Sequence, residues 1–296
     1  WIKTVSGIRK FNPDKVILQW WVTIWGPAFG FIIRKLKGTE TKTSVLIYDI
    51  TPHERHFLDK KISQSSLRNA DQFITLTEKG RSHLLKLIPK AENVNTVPLP
   101  IFKVVEKTSL DKHEARKQLL LPTDKPIMLF FGFIRPYKGL SVLLDSLEII
   151  ISQGQEMHLV IAGEFWENPR EYESQIISKG LTNYVHVFNR YIPDSEVGKF
   201  FKSADLFVAP HTIGTQSGVL KAALGFGLPA VVTNVITDEL IKILPERCLI
   251  APAGNAIALA ECIKAGLQLP VENDEEINLR IKKAWKPILS ALGENF

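Results

Sequence analysis

Pro126-Ile127-Met128-Leu129-Phe130-Phe131-Gly132-Phe133-Ile134-Arg135-Pro136-Tyr137-Lys138-Gly139-Leu140 decides the fold. A short apolar run, too short for a helix, stops at a glycine. A loop with two cations follows, and a second glycine opens an amphipathic helix. That is a strand, a tight turn and a crossover helix, the unit of a parallel sheet.

The unit recurs downstream. Strands are expected at Ile127–Phe131, His158–Ala162, Val185–Phe188, Leu206–Ala209, Ala230–Thr233 and Leu249–Ala251, each followed by a helical pattern. Parallel neighbours need a crossover of about a dozen residues or more, so these segments predict a doubly wound sheet. Upstream, Val16–Trp21, Ser44–Ile50, Gln72–Thr77 and Asn95–Leu99 are the strand candidates, with helices at Leu58–Asn69 and Glu78–Leu87. Pro98, Pro100 and the polar stretch Lys103–Ser109 interrupt the regularity. The expectation is therefore an α/β protein with a first domain over residues 1–105, a second over 106–272, and a C-terminal helix within 273–296 that packs back on the first domain.

Bulk numbers bound the rest. At 296 residues the chain is long for one core. A net charge of +6 suits anionic ligands, but it is spread too thinly to argue for nucleic acid. Cys248 and Cys262, the only cysteines, support neither a disulfide framework nor a metal knuckle and suit a reducing compartment. The apolar stretch from Val16 to Ile33 contains Gln19, Thr23, Gly26 and Pro27, which favours a strand followed by a helix over a membrane span. Trp1–Val5 has the pattern of a helix already under way and no leader-like segment, so the N-terminus of the protein is expected to lie further upstream.

Ligands of parallel sheets bind where strands end and helices begin. Four loops occupy such places. Gly132–Gly139 offers glycines for close backbone approach, a helix N-terminus for phosphate, and the cations Arg135 and Lys138. Ala162-Gly163-Glu164-Phe165 follows the second strand. Asn189-Arg190-Tyr191-Ile192-Pro193-Asp194 follows the third, with Arg190 for an anion and Asp194 as a helix cap. The fourth, Pro210 to Val219, brings Gln216, Ser217 and the amides of Gly218 and Val219 to a helix entry. Each has a purely structural reading as a turn or a cap, but together they define a binding edge.

Read in order, the loops resemble the donor domain of retaining family 4 glycosyltransferases, which have the GT-B fold. The resemblance runs from Ile127 to Thr233 and includes Phe131-Gly132 through Lys138-Gly139, Leu159 through Glu164, Tyr191-Ile192-Pro193-Asp194, Ala204 through Pro210, and Gly227-Leu228-Pro229. It implies two Rossmann-like domains facing a cleft, the first of them incomplete here. It also implies transfer of a sugar from a nucleoside-diphosphate sugar, with retained configuration and no cofactor or obligatory metal. Lys138 and Arg135 would neutralise the diphosphate. The Tyr191–Ile192 backbone would hold the base, Gly132, Gly163, Glu164 and Arg190 would line the donor site, and Gln216 to Val219 would meet sugar and phosphates. In the first domain, Tyr48-Asp49-Ile50-Thr51-Pro52-His53-Glu54 matches a cleft loop, with His53 as a catalytic candidate.

The sequence departs from the pattern where two glutamates eight positions apart are usual: Gly214 and Ala222 stand there. Phe133 also replaces the usual Arg, leaving Arg135 to serve. The family further implies a glycan or lipid-linked acceptor, a cytoplasmic setting, and peripheral contact with the inner membrane face. The alternatives are a GT-B nucleotide-sugar epimerase and a non-catalytic sugar-nucleotide-binding protein.

Overall fold

In a computed structural model, the described residues are 1–48, 59–103, 110–213, 217–236, 241, 244–270 and 272–293. They form two compact units, one of residues 1–99 with 285–296 and the other of residues 100–284.

The first unit holds α1 (Ile2–Phe11), β1 (Lys15–Trp20), α2 (Gly26–Leu36), β2 (Lys42–Ile47), α3 (Asp59–Leu67), β3 (Gln72–Thr75), α4 (Glu78–Leu87) and β4 (Val94–Thr96). Its four strands are parallel in the order β1-β2-β3-β4. Side chains alternate between two faces, as strand geometry requires. Val45, Ile47 and Phe73 join a core with Trp20, Ile33 and Leu84, while Leu46 and Ile74 join one with Val97 and Ile288. Pro27 lies in the first turn of α2, where its missing N–H costs nothing. The strands end earlier than their apolar sequence suggests: Trp21 lies beyond β1 and is 60% exposed.

The second unit contains α5 (Lys112–Gln118), β5 (Ile127–Phe131), α6 (Leu140–Ser152), β6 (His158–Ala162), α7 (Pro169–Ser178), β7 (Val185–Phe188), α8 (Asp194–Ser203), β8 (Leu206–Ala209), α9 (Gly218–Gly225), β9 (Ala230–Thr233), β10 (Cys248–Ala251) and α10 (Ala256–Gly266). A last helix, α11 (Asp274–Leu292), has residues in both units. The sheet runs β10-β9-β8-β5-β6-β7, all parallel. Period-two alternation builds its two cores. Ile127, Leu129, Val160, Phe207 and Val232 enter one, and Met128, Phe130, Leu159, Val208 and Val231 the other.

Beneath the sheet, Asp205 is a fixed anchor. Its Oδ2 accepts from the Ile127 amide at 2.7 Å and from Nη2 of buried Arg116 at 2.7 Å. Arg116 also donates to the carbonyls of Ser203 and Thr123, both at 2.9 Å. A buried cation with this many acceptors is compensated, whereas the same charge without them would not be tolerated.

The strand order reverses at β5, which pairs with β6 on one side and β8 on the other. At such a reversal the loops part in opposite directions and leave a crevice for a ligand. The loops after β5 and β8 are the two that carry Lys138 and His211.

Candidate functional site

The site is built from backbone first. Gly163 has φ of 145°, and a Cβ there would stand 2.2 Å from the Gly132 carbonyl oxygen. Gly139 has φ of 74°, and its Cβ would stand 1.9 Å from the Pro210 carbonyl oxygen. Both positions need glycine for conformation and for space. They let the loop after β5 lie directly against those after β6 and β8.

Hydrogen bonds then fasten the loops together. The Gly132 and Ile134 amides donate to the Ala162 and Glu164 carbonyls at 2.9 Å each, and the Trp166 amide donates to the Ile134 carbonyl at 3.1 Å. The Gly163 amide donates to the Phe188 carbonyl at 3.1 Å, and the Phe165 amide to Asn189 Oδ1 at 3.1 Å. On the other side, Tyr137's carbonyl accepts from the Thr212 amide at 2.7 Å and its hydroxyl at 3.1 Å. Thr233 Oγ1 donates to the His211 carbonyl at 2.5 Å. The loops after four strands and the end of a fifth, β9, are thus one tied surface. Catalytic and binding groups gain from such pre-organisation, because little further ordering is needed when a ligand arrives.

Into this surface comes Lys138, at the end of a 3-10 turn over Pro136–Lys138. Its Nζ lies 3.0 Å from where a Cβ of residue 132 would be, and Val219 Cγ2 lies 3.6 Å from the same point. Gly132, Lys138 and Val219 therefore converge. The Lys138 ammonium has no hydrogen-bond or ion-pair partner among the described residues. Burial, and secondarily the charge of Arg135, brings its pKa down to about 8. His211 beside it has burial and then the Lys138 charge as causes of a pKa near 4, so it is neutral at pH 7. Its Nδ1 is buried and unpartnered. Tyr137 meets its ring edge-on at 5.9 Å. An unpaired ammonium next to a neutral, unsatisfied imidazole is a poor core and a suitable half of an anion site.

The remaining expected residues divide. Ser217 caps α9, accepting from the Leu220 amide at 3.2 Å, which leaves the amides of Gly218 and Val219 in the first turn at the positive end of the helix. Arg135 does not sit free. Its guanidinium lies 4.2 Å above the ring of Trp166, which also packs on Phe133 at 4.6 Å. Arg190 is engaged with Glu196 at 2.5 Å, and its pull lowers the Glu196 pKa. Glu164 contributes its carbonyl and leaves its side chain exposed. Tyr191 is exposed, whereas the Ile192 side chain joins the core, so Ile192 has only its backbone left to meet a ligand. Asp194 is the first residue of α8 and not its cap; Pro193 holds the cap position, where no side-chain hydrogen bond is made. His53 and Gln216 lie outside the described residues, as does Gly214, while Ala222 is buried in α9. Among the described residues, no three or more His, Cys, Asp or Glu side chains are grouped to hold a metal.

Two residues escaped the sequence reading. His211 had one usable signal, its place directly after a strand at the ligand edge. Trp166 had none, since an aromatic in a loop carries no message until Arg135 is found on its face.

Comparison with known proteins bears on the same segment. Residues 125–268 match the family of glycosyl transferases group 1. The matched segment contains every element from β5 to α10 and all four loops. Among curated relatives, a phosphatidyl-myo-inositol mannosyltransferase of Mycobacterium leprae is 31% identical over 147 residues, covering 48% of this chain and 37% of its own. A lipopolysaccharide core biosynthesis mannosyltransferase, LpsB, of Rhizobium meliloti is 28% identical over 131 residues, 42% of this chain and 36% of its own. The chain spans about half or less of the length of these relatives. Among solved structures, Anabaena HepE in complex with UDP superposes with a TM-score of 0.74 at 15% identity, covering 99% of this chain and 81% of that one. Sucrose-phosphate synthase from Thermosynechococcus elongatus gives 0.70 at 20% identity, covering 99% and 76%. Identities this low speak to fold alone, and the fold is GT-B: two parallel-sheet α/β domains, of four and six strands. No described helix is long and apolar enough to cross a membrane.

Proposed function

We propose that this chain is the greater part of a glycosyltransferase that moves a sugar from a nucleoside-diphosphate sugar to a glycan or lipid-linked acceptor, with retention of configuration. The observation that carries the reading is Lys138: a half-buried, unpartnered ammonium at the reversal point of the sheet, within a domain that matches group 1 glycosyltransferases. Breaking the bond from the anomeric carbon to the diphosphate leaves the electron pair and charge on the phosphate oxygen. A fixed cation in a partly dry site stabilises that charge as it forms. Lys138 does this directly, Arg135 joins from its perch on Trp166, and the first-turn amides of α9 serve the diphosphate. Backbone at Tyr191–Ile192 holds the base, and neutral His211 offers a hydrogen-bonding group. His53 as a catalytic group and Gln216 as a sugar or phosphate contact remain part of the proposal, and both lie outside the described residues. No metal is required by this scheme.

A Rhizobium and a Mycobacterium relative named for lipopolysaccharide and phosphatidylinositol substrates support an acceptor of surface-glycan or glycolipid type; the setting proposed with it is the cytoplasm, at the inner membrane face. HepE was solved with UDP and with UDP-glucose, so a uridine donor is the first to try. A thermal-shift screen with UDP, GDP, ADP and their sugars tests the reading. Ligand at about a hundred times its Kd stabilises the folded state by about 2.7 kcal/mol. The expected result is a rise in Tm for one base that Lys138→Ala removes. Silence across the panel overturns it.

A further inference from the structure

At the other edge of the first unit's sheet, where the strands begin, lies a hollow of about 600 Å³. That is within the size range of small-ligand sites, about 300–1,000 Å³. Five cations line it: Lys15, Lys37, Lys42, Arg68 and Lys90. They come from β1, the end of α2, β2, the end of α3 and the loop after α4, so the fold and not the sequence gathers them.

Two carboxylates share the lining, Asp71 and Glu92. Asp71 is committed elsewhere, its Oδ2 accepting from the Thr43 amide at 2.7 Å and hydroxyl at 2.8 Å. The floor is fixed. Gln72 donates to the Ala291 carbonyl at 2.7 Å and accepts from Ser44 Oγ at 2.7 Å, while Lys15 is held by the Leu292 carbonyl. Lys37 reaches Asn69 Oδ1 at 3.1 Å. The side chains of Lys42, Arg68 and Lys90 have no hydrogen-bond or ion-pair partner among the described residues. A second hollow of about 600 Å³ adjoins, sharing Arg68, Asn69 and Lys90 and adding Lys61.

Cations gathered in a concavity repel one another and focus a positive potential on the space between them. Arg and Lys carry only donors, and the amide groups of Asn69, Asn93 and Asn95 add more to the same wall. Such a wall matches oxyanions with several acceptors each. Two joined lobes with Arg68 and Lys90 at their junction match several such groups on one compact scaffold. We propose that the paired hollows bind a small, multiply phosphorylated anion, either free or as a bilayer headgroup. The proposal is independent of the donor reading.

Inositol hexakisphosphate, titrated calorimetrically into the chain, is the probe. Binding is expected in the wild type and in Arg135→Ala/Lys138→Ala. It should fall at least about tenfold in Arg68→Glu/Lys90→Glu and weaken with added salt. Retained binding in Arg68→Lys/Lys90→Arg, together with unchanged melting of all variants, separates loss of charge from loss of fold. Unchanged affinity in the charge-reversal variant overturns the proposal, as does loss confined to the Lys138 variant. Polyglutamate binding as tightly as the phosphate ester overturns the choice of phosphate. Flotation with vesicles of phosphatidylcholine alone, or mixed with a phosphatidylinositol bisphosphate, identifies the source. Capture on acidic vesicles that is lost in Arg68→Glu/Lys90→Glu supports a headgroup; phosphate binding without capture supports a free ligand.

Discussion

The two electropositive places in this protein are opposites in construction. At the sheet reversal of the second unit, a single lysine is drawn out of water and wedged under a glycine, between loops that hydrogen bonds hold in place. At the foot of the first unit's sheet, many cations stand in water around an open hollow. One site concentrates electrostatic work by desolvation, the other by number. A charge in a partly dry site interacts more strongly with an arriving anion, because less water screens it. It is also costlier to keep in the absence of one. The exposed cluster costs little and does less per residue.

The tied loops should show the largest effect. Gly139→Ala puts a methyl into the Pro210 carbonyl and a side chain at φ of 74°. Combined overpacking and backbone strain predict a loss above about 3 kcal/mol, read as a fall in the urea midpoint. Gly154, at φ of 79°, supplies the control, since a Cβ there would meet nothing within 4 Å. Gly154→Ala keeps the strain without the clash and should cost only about 1 kcal/mol. Equal losses at both glycines would show that contact with Pro210 is not what holds residue 139 to glycine.

Next comes the desolvated charge. Lys138→Ala should weaken nucleoside-diphosphate binding by about 3 kcal/mol, roughly a hundredfold. The pH dependence follows from the same burial. With a pKa of about 8 instead of 10.5, Lys138 is charged below pH 8 and loses its proton above it. Diphosphate affinity should fall as pH rises through about 8, and that bend should vanish in Lys138→Arg, whose guanidinium stays charged. Stability runs the other way. Between about 8 and 10.5 the unfolded chain binds more protons than the folded one, so this residue makes stability rise with pH there. Flat affinity from pH 7 to pH 9 would remove Lys138 from the binding site.

How much of this contrast the sequence carries depends on burial. Strands β5 to β9 match the expected spans residue for residue; for β6, β8 and β9, covered on both faces, the reason is a continuous apolar run bounded by turns. In the first unit that rule misleads. Trp21 and Tyr48 extend the apolar runs beyond the ends of β1 and β2, and the two rings pack together at 5.3 Å outside the strands. Apolar character marks contact, and here the contact is not sheet. The loops with Gly132, Lys138, Gly163 and Ser217 were legible since glycine and cap chemistry is local. The Arg135–Trp166 stack and the buried His211 were not, since each depends on a loop from a different strand. The basic hollow was least legible, its cations being scattered from Lys15 to Lys90.

A smaller effect tests whether the second unit's pre-organisation extends to its outer cation. Arg135 rests on Trp166 at 4.2 Å, and Trp166 is 53% exposed. A cation–π contact at an exposed place contributes about 0.5–1 kcal/mol. Trp166→Ala should therefore reduce turnover by about twofold to fivefold, while leaving the Tm almost unchanged. Trp166→Phe should recover much of the loss, because it keeps a ring face under the guanidinium. In an Arg135→Ala background, Trp166→Ala should add little further, since the residues then act through one another. Additive losses would mean that Trp166 serves the site through something other than Arg135.

The smallest effect belongs to the hollow, and its size is the point. Lys42, Arg68 and Lys90 are exposed and unpartnered among the described residues, so truncating any of them removes no packing and no bond. Single alanine variants should change stability by less than about 0.5 kcal/mol. Relief of like-charge repulsion should make Arg68→Ala slightly stabilising in low salt, and the gain should disappear once the Debye length shrinks to about 8 Å near physiological ionic strength. A place that is mildly unfavourable when empty, with five cations against the two carboxylates Asp71 and Glu92, is a place whose excess charge is compensated when something anionic is bound. If Arg68→Ala instead destabilises at every salt concentration, the cations hold the first unit together and the contrast between the two sites collapses.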